Sequence, residues 1–195
     1  HYPLRRQRQM CIRDRFYRVE LVGIQNVPQN GPVILCSNHI GQMDMFFVGY
    51  KLKRLIHYMA KEELFDIPLV SYILKHLGAF PVRRGTGDIT AIKTSLKLLE
   101  EGKILGILPE GTRTRGKRAE EIKIKPGVGM IAVKSAAPIL PVAVEGTYKL
   151  FSKVRVVYGK PFKPAVEGGR KYSSEELSEI SRDIMNRVYS LMEAK

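Results

Sequence analysis

Residues 33–44 read VILCSNHIGQMD, an apolar run that passes directly into a polar turn. The four apolar residues at 33–36 are typical of a strand that is buried on both faces of a sheet. Gly41 gives the turn backbone freedom, and the apolar and aromatic residues at 43–52 predict a helix after it. A strand that leads into a helix is the repeating unit of α/β proteins, so this stretch predicts that fold class.

Strands alternate with helices along the rest of the chain. Alternating or continuous apolar residues predict further strands at 16–22, 55–59, 79–82, 104–108, 139–144 and 154–158. Pro141 cannot donate a backbone hydrogen bond, so it predicts an edge position or a bulge. Helices are predicted at 68–76, 88–102 and 127–136, and a capping box of Ser173 and Glu176 opens a final helix. We therefore predict a single α/β domain in which helices flank a largely parallel or mixed sheet.

The charge balance is strongly basic. The 195 residues suffice for one domain, and 33 Lys and Arg against 19 Asp and Glu give a formal charge of +14. Such a surface favours a polyanion, whether nucleic acid, an anionic membrane leaflet or an acidic protein. Cys11 and Cys36 build no disulfide framework, and no Cys/His spacing suggests a zinc site, so a reducing, cytoplasmic location is expected.

Residues 1–15 differ from the rest, with five arginines against one aspartate and no clear periodicity. We expect a disordered arm or a non-native extension there, and a folded domain at 16–195. No apolar stretch approaches the roughly 18–20 residues of a membrane-spanning helix. The start of the sequence also lacks the apolar region of a signal peptide, so no transmembrane helix and no leader are expected.

His39 and Asp44 are the first candidates for chemistry. A neutral imidazole whose tautomer is held by a carboxylate can remove a proton from a hydroxyl near neutral pH. On one ideal helix the two residues would not share a face, so His39 is expected in the strand-to-helix turn and Asp44 in the first helical turn. Taken alone, two such residues more often cap a turn and a helix than form a catalytic pair.

The enzyme nucleophile of a complete triad is missing. The sequence has no Gly-x-Ser-x-Gly elbow, and Cys36, in an apolar strand, is expected to be an inert core residue. If His39 is a base, we therefore expect its proton donor to be the hydroxyl of the substrate.

A second cluster, PEGTR at residues 109–113, leaves the strand predicted at 104–108 at its carboxyl end, where α/β sheets place ligands. Gly111 allows close approach of a ligand, and Arg113 offers a planar fork for phosphate or carboxylate. Glu110 would repel that anion, so we expect it to orient Arg113 or to accept from a substrate hydroxyl. The alternative is a solvated loop with a local ion pair.

Arg83 and Arg84 follow the strand predicted at 79–82 and precede Gly85, which repeats the same pattern. Two arginine-bearing strand ends could converge on one phosphate. The alternative for this pair is ordinary surface charge.

Together these motifs resemble the glycerolipid acyltransferase family, and most closely its 1-acylglycerol-3-phosphate acyltransferases. The resemblance covers about residues 20–161 and rests on four blocks in order: NHIGQMD at 38–44, FPVRR at 80–84, PEGTR at 109–113, and the strand that contains Pro141. It implies a glycerol-3-phosphate acyltransferase-like α/β fold for the domain at 16–195.

The resemblance implies transfer of a fatty acyl group from an acyl-carrier protein or coenzyme A thioester to the sn-2 hydroxyl of lysophosphatidic acid, which gives phosphatidic acid in phospholipid biosynthesis. No metal or redox cofactor is implied. His39 would be the general base and Asp44 its partner. The residues implied to bind the acceptor are Arg84, Arg83, Glu110, Gly111, Thr112, Arg113, Lys61 and Lys125.

Alternatives remain open at this point. The acceptor could be glycerol 3-phosphate or another lysolipid, or the chain could be a basic membrane- or nucleic-acid-binding module without catalysis. We expect no nucleic-acid partner, because no binding motif is present and the Lys and Arg residues are scattered. The anchor found at the N-terminus of many family members is missing, so either the chain is truncated or it attaches peripherally to the inner membrane surface, aided by its positive charge.

Overall fold

The computed structural model describes residues 17–83, 88–113, 122, 124–164 and 170–193. The arm expected at 1–15 and the candidate ligand Arg84 lie outside these described residues.

Seven strands form one sheet in the described part of the chain. They are β1 (Arg18–Val22), β2 (Val33–Ser37), β3 (Ile56–Lys61), β4 (Phe80–Val82), β5 (Ile104–Ile107), β6 (Ile139–Gly146) and β7 (Lys153–Tyr158). Across the sheet their order is β1-β7-β6-β2-β5-β3-β4. All neighbouring strands are parallel except β6 and β7, which are antiparallel. The sheet is therefore mixed and mostly parallel, which confirms the predicted α/β class.

The α-helices of the described residues are α1 (Asp44–Val48), α2 (Pro68–His76), α3 (Ile89–Glu100), α4 (Gly127–Ser135) and α5 (Ser174–Glu193). The helix predicted at 43–52 is wrong in length, because α1 ends at Val48. Gly49 caps α1 and Lys51 adopts a positive φ of 59°, so Tyr50 reaches the core from an irregular turn. The capping box before α5 is confirmed: Glu176 accepts from the Ser173 backbone N–H at 2.8 Å, and Ser173 Oγ accepts from the Glu176 N–H at 3.2 Å.

Strands β2 to β6 all run in the same direction, so their last residues lie at one side of the sheet. We call this side the carboxyl rim; it is formed by the segments that follow Ser37, Lys61, Val82, Ile107 and Gly146. Parallel α/β sheets bind their ligands at this side. The rim contains the segments of His39 and Asp44 and of PEGTR, together with Arg83 of the third cluster.

Apolar side chains pack on both faces of the sheet. In β2, Val33 and Leu35 belong to the cluster that holds Phe47 of α1, and Ile34 and Cys36 to the cluster on the other face, under α3, α4 and α5. Cys36 is fully buried, and this burial raises the pKa of its thiol, so it stays protonated as a core residue. No helix in the described ranges is both long enough and apolar enough to cross a bilayer.

Pro141 lies in the interior strand β6, so the expected edge position is wrong. The alternative expectation, a bulge, agrees better with the interrupted pairing beside this residue. Its carbonyl accepts from the Gly159 N–H at 2.9 Å. The pairing there shifts by one residue, from Val142 opposite Tyr158 to Ile139 opposite Phe162. The proline nitrogen, which cannot donate, therefore falls where the antiparallel ladder is already interrupted.

Helices α4 and α5 cross closely at Gly129. Its N–H donates to Ser181 Oγ at 3.0 Å, and a Cβ there would lie 2.3 Å from the Leu177 carbonyl oxygen. We expect Gly129→Ala to lower the free energy of unfolding by about 1–3 kcal/mol, because the helices must move apart. Denaturant unfolding measures this effect. Gly127→Ala in the same helix is the matched control, since a Cβ there meets no atom within 4 Å. Equal stability of the two variants would contradict the prediction.

Candidate active site

His39 and Asp44 are brought together as their spacing predicts. His39 lies in the turn after β2, and Asp44 is the first residue of α1. His39 Nδ1 lies 2.6 Å from Asp44 Oδ2, and the exposed fractions of the two side chains are 13% and 0%. With a proton on Nδ1 donated to the carboxylate, Nε2 is the nitrogen that accepts a proton.

The carboxylate of Asp44 is held by more than the histidine. The Gly41 backbone N–H donates to Oδ2 at 2.9 Å, and the Tyr148 hydroxyl donates to Oδ1. A Cβ on Gly41 would lie 2.4 Å from the Tyr148 ring, so glycine lets this ring pack against the turn. Two donors other than the imidazole therefore hold the carboxylate in its orientation.

Asn38 fixes the path of the chain into the turn. Its side-chain amide donates to the Val144 carbonyl at 2.9 Å and accepts from the Val144 N–H at 2.7 Å. The last backbone pair between β2 and β6 joins Ser37 and Val142. The buried amide of Asn38 thus continues the ladder by one step and anchors the residue next to His39.

Glu110 is buried and holds the backbone of His39. It follows β5, the neighbour of β2, and its Oε2 accepts from the His39 backbone N–H at 2.8 Å. Its Oε1 accepts from the Tyr189 hydroxyl of α5, also at 2.8 Å. Burial, and after it the Glu110 carboxylate, raises the pKa of Tyr189, so this hydroxyl stays protonated and donates. Both carboxylate oxygens therefore have a protein partner among the described residues, and Arg113, one of the two partners expected from the sequence, is not one of these two.

We expect Tyr189→Phe to destabilise the protein by about 1–3 kcal/mol, because it removes a donor from a buried carboxylate and keeps the ring. Thermal or denaturant unfolding reports the change. Tyr72→Phe removes the same hydroxyl from an exposed ring on α2 and is expected to change stability little. If the two variants were equally stable, Tyr189 would contribute nothing through Glu110.

The loop after β5 places the other members of the PEGTR block beside Glu110. Gly111 has a φ of +63°, and a Cβ there would lie 2.9 Å from Lys125 Cε and 3.1 Å from its Nζ. Lys125 also donates its backbone N–H to the Pro109 carbonyl at 3.2 Å. Thr112 and Arg113 follow with exposed side chains. The structure thus gathers the Lys125 ammonium and the Arg113 segment at the same part of the carboxyl rim as His39.

Arg83 and Lys61 lie further along the rim. Arg83 follows the edge strand β4, which is three strands from β2, or about 14 Å at the usual strand spacing of ~4.8 Å. Its Nε donates to Glu62 at 2.7 Å with the side chain 72% exposed, and Lys61 pairs with Glu63 at 2.9 Å. Arg83 therefore matches the alternative of paired surface charge, and the structure does not bring it to His39.

Three residues of the site were missed in the sequence: Asn38, Tyr148 and Tyr189. Asn38 stands next to His39, so its place in the motif was a usable signal. Tyr148 and Tyr189 follow the last motif block, and no spacing links them to the carboxylates they contact. Within the described ranges, no three His, Cys, Asp or Glu side chains cluster as ligands for a metal ion.

Comparisons with known proteins agree with this geometry. The family model described as acyltransferase matches residues 18–145. A 1-acyl-sn-glycerol-3-phosphate acyltransferase of Bacillus subtilis is 34% identical over 179 residues, which span 89% of this chain and 87% of the relative. A Borreliella burgdorferi protein of the same name is 30% identical, over 85% of this chain and 69% of the relative. The crystal structure of PlsC, the 1-acyl-sn-glycerophosphate acyltransferase of Thermotoga maritima, superposes with a TM-score of 0.67 at 26% identity, and covers 92% of this chain and 73% of that one.

Proposed function

The chain belongs to the acyltransferase family, and from that premise we propose that it transfers a fatty acyl group to the sn-2 hydroxyl of lysophosphatidic acid. The product is phosphatidic acid, so the reaction belongs to phospholipid biosynthesis. The observation that carries the proposal is the contact of 2.6 Å between His39 and Asp44 at the carboxyl rim. The names of the bacterial relatives support lysophosphatidic acid as the acceptor.

In the proposed reaction, His39 Nε2 removes the proton of the sn-2 hydroxyl while its oxygen attacks the thioester carbonyl. The new carbon–oxygen bond forms as the carbon–sulfur bond breaks, and the imidazolium returns the proton to the leaving thiolate. Asp44 stabilises the imidazolium that forms in between. This route requires no enzyme nucleophile and no metal or redox cofactor, and the thioester of acyl-carrier protein or coenzyme A is a co-substrate.

We propose that the loop after β5 binds the phosphate of the acceptor. Thr112, Arg113 and the neighbouring Lys125 offer side-chain donors at the same part of the rim as the base. Gly111, whose own N–H donates to the Leu108 carbonyl, leaves the space in which the Lys125 side chain lies. Glu110 holds the His39 backbone in place next to this loop by accepting its N–H. Arg84 remains a predicted phosphate ligand. Arg83 and Lys61, also predicted ligands, are paired with Glu62 and Glu63 at the far side of the rim and would have to leave these partners to reach the phosphate.

Arg113→Ala is expected to raise the KM for lysophosphatidic acid about 10–100-fold with a smaller change in kcat, because a charge-assisted contact to the phosphate is lost. Initial rates over a range of acceptor concentrations measure both constants. Arg182→Ala removes an equally exposed arginine from α5 and is expected to leave KM unchanged. An unchanged KM in Arg113→Ala would argue against a phosphate-binding role.

An acceptor panel tests the proposed function directly. We expect phosphatidic acid to form when lysophosphatidic acid is offered with a donor whose acyl group is radiolabelled, either an acyl thioester of acyl-carrier protein or acyl-coenzyme A. The better donor identifies the co-substrate. Glycerol 3-phosphate and lysophosphatidylcholine are expected to be poor acceptors. Preferred acylation of either one would overturn the proposed acceptor, and binding to nucleic acid or membranes without any transfer would overturn catalysis itself.

We also propose that the chain works while attached peripherally to the anionic inner membrane surface. The acceptor is a membrane lipid in this proposal, and the formal charge is +14. A Lys or Arg near an anionic leaflet contributes about 1 kcal/mol to binding, so several exposed cations suffice for reversible attachment. Co-sedimentation with phosphatidylglycerol vesicles is expected to weaken steeply with salt.

A further inference from the structure

A single buried carboxylate links His39 to helix α5. Glu110 is 1% exposed; it accepts from the His39 backbone N–H through Oε2 and from the Tyr189 hydroxyl through Oε1, each at 2.8 Å. These two contacts bridge 71 and 79 residues of sequence. The position of the His39 backbone therefore depends on a side chain of α5.

Helix α5 holds Tyr189 by contacts that do not involve Glu110. Val188, the preceding residue, is fully buried in the apolar cluster under the sheet, and the Tyr189 ring packs against the same cluster. Two turns earlier in the helix, Ser181 Oγ accepts from the Gly129 N–H of α4 at 3.0 Å. The position of the Tyr189 hydroxyl is therefore set by helix packing, and the carboxylate is aligned to it.

The hydrogen bond between Tyr189 and Glu110 has a fixed direction. Burial, and after it the Glu110 carboxylate, raises the pKa of Tyr189, so its hydroxyl keeps the proton and donates it to Oε1. A buried carboxylate depends on such donors because water does not solvate it. Without the Tyr189 hydroxyl, the carboxylate is no longer tied to α5 and can turn, and the His39 N–H then loses its acceptor.

A shift of the His39 backbone moves the imidazole relative to its partners. The ring lies 2.6 Å from Asp44, and that carboxylate is held separately by the Gly41 N–H and the Tyr148 hydroxyl. Such a shift therefore misaligns Nε2 with the acceptor hydroxyl while Asp44 stays in place. Because a displacement of about 1 Å can lower a rate roughly 100-fold, a smaller displacement is also visible in kcat.

We propose that Tyr189 is a positioning residue for acyl transfer. From α5 its hydroxyl aligns Glu110, and Glu110 holds the His39 backbone where the imidazole reaches the acceptor hydroxyl. Tyr189 lies beyond residues 18–145, which match the acyltransferase family model, so this role belongs to a part of the chain that the family match does not cover. The inference rests on the proposed function, since kcat for acyl transfer is one of its two readouts.

Tyr189→Phe is expected to lower kcat about tenfold and to change the KM for lysophosphatidic acid less than about twofold, because the variant keeps the ring and loses the donor. Ser181→Ala is the matched control. It removes a buried hydrogen bond between α5 and α4 but no contact of Glu110, so its kcat is expected to be unchanged. Rates are measured at a temperature below the unfolding transitions of both variants. Loss of kcat in neither variant, or equally in both, would overturn the proposal.

The backbone amide of His39 reports the link in the absence of substrate. In a proton–nitrogen correlation spectrum of the isotope-labelled chain, the His39 amide proton is expected to move upfield in Tyr189→Phe, because its contact to the carboxylate lengthens. The same resonance is expected to stay in place in Ser181→Ala. A His39 resonance that does not move in Tyr189→Phe, or that moves downfield as for a shorter contact, would contradict the proposed role.

The two readouts separate this inference from the proposed function. Absence of transfer by the unaltered chain to every acceptor of the panel would refute the proposed function, whatever the His39 resonance does. Normal transfer by both the unaltered chain and Tyr189→Phe would refute only the role of Tyr189. A loss of kcat in Tyr189→Phe together with the upfield shift at His39 is the result expected if both hold.

Discussion

His39→Ala is expected to lower kcat for acyl transfer by about 10²–10⁴-fold, because the acceptor hydroxyl loses its general base. The fold is expected to persist. The Asp44 carboxylate keeps the Gly41 N–H and the Tyr148 hydroxyl as donors, so removing the imidazole leaves no buried charge without a partner. The measurement is a rate of phosphatidic acid formation at saturating donor and acceptor, with thermal unfolding recorded on the same preparation.

His76→Ala is the matched control for this variant. His76 is exposed on α2, and its Nδ1 lies 2.7 Å from the Tyr72 carbonyl oxygen. Helix α2 follows β3, which is two strands from β2 in the sheet. We expect its kcat on a monomeric acceptor to be unchanged. Substantial activity in His39→Ala, in a chain that unfolds at the usual temperature, would refute the role of His39 as base.

The pair of His39 and Asp44 could be predicted because its geometry is local. Asp44 follows His39 by five positions, and whether their side chains meet depends only on one strand, one glycine and the start of one helix. The same is true of the strands β2 and β5, whose apolar runs are short and bounded by turn residues. Parallel pairing brings the ends of β2 to β6 to one side of the sheet, so the carboxyl rim followed from the element pattern.

The supports of the site could not be predicted because they are distant in the chain. Tyr148 contacts Asp44 across 104 residues, and Tyr189 contacts Glu110 across 79. Such contacts depend on strand order and helix packing, which local patterns do not encode. Arg83 shows the same limit, since the order of the strands placed it at the far edge of the sheet beside Glu62.

Asp44→Ala is expected to lower kcat about 10²–10⁴-fold, comparable to loss of the base itself, because Nδ1 loses its acceptor and the imidazolium loses its counter-charge. Asp44→Asn separates these two contributions. The Gly41 N–H requires an acceptor and would hold the asparagine oxygen where Oδ2 lies, 2.9 Å away, so the tautomer of His39 is kept. The Tyr148 hydroxyl can rotate to accept from the asparagine nitrogen. Only the charge is then lost.

We therefore expect Asp44→Asn to retain more activity than Asp44→Ala and less than the unaltered chain. Adding Tyr148→Phe to Asp44→Asn is expected to reduce kcat further, since the asparagine nitrogen then has no acceptor at that position and can turn toward Nδ1, favouring the wrong tautomer. Asp183→Asn on the exposed face of α5 controls for loss of one negative charge. Equal activity of Asp44→Asn and Asp44→Ala would mean that charge alone matters, and that orientation by Gly41 and Tyr148 contributes nothing to the rate.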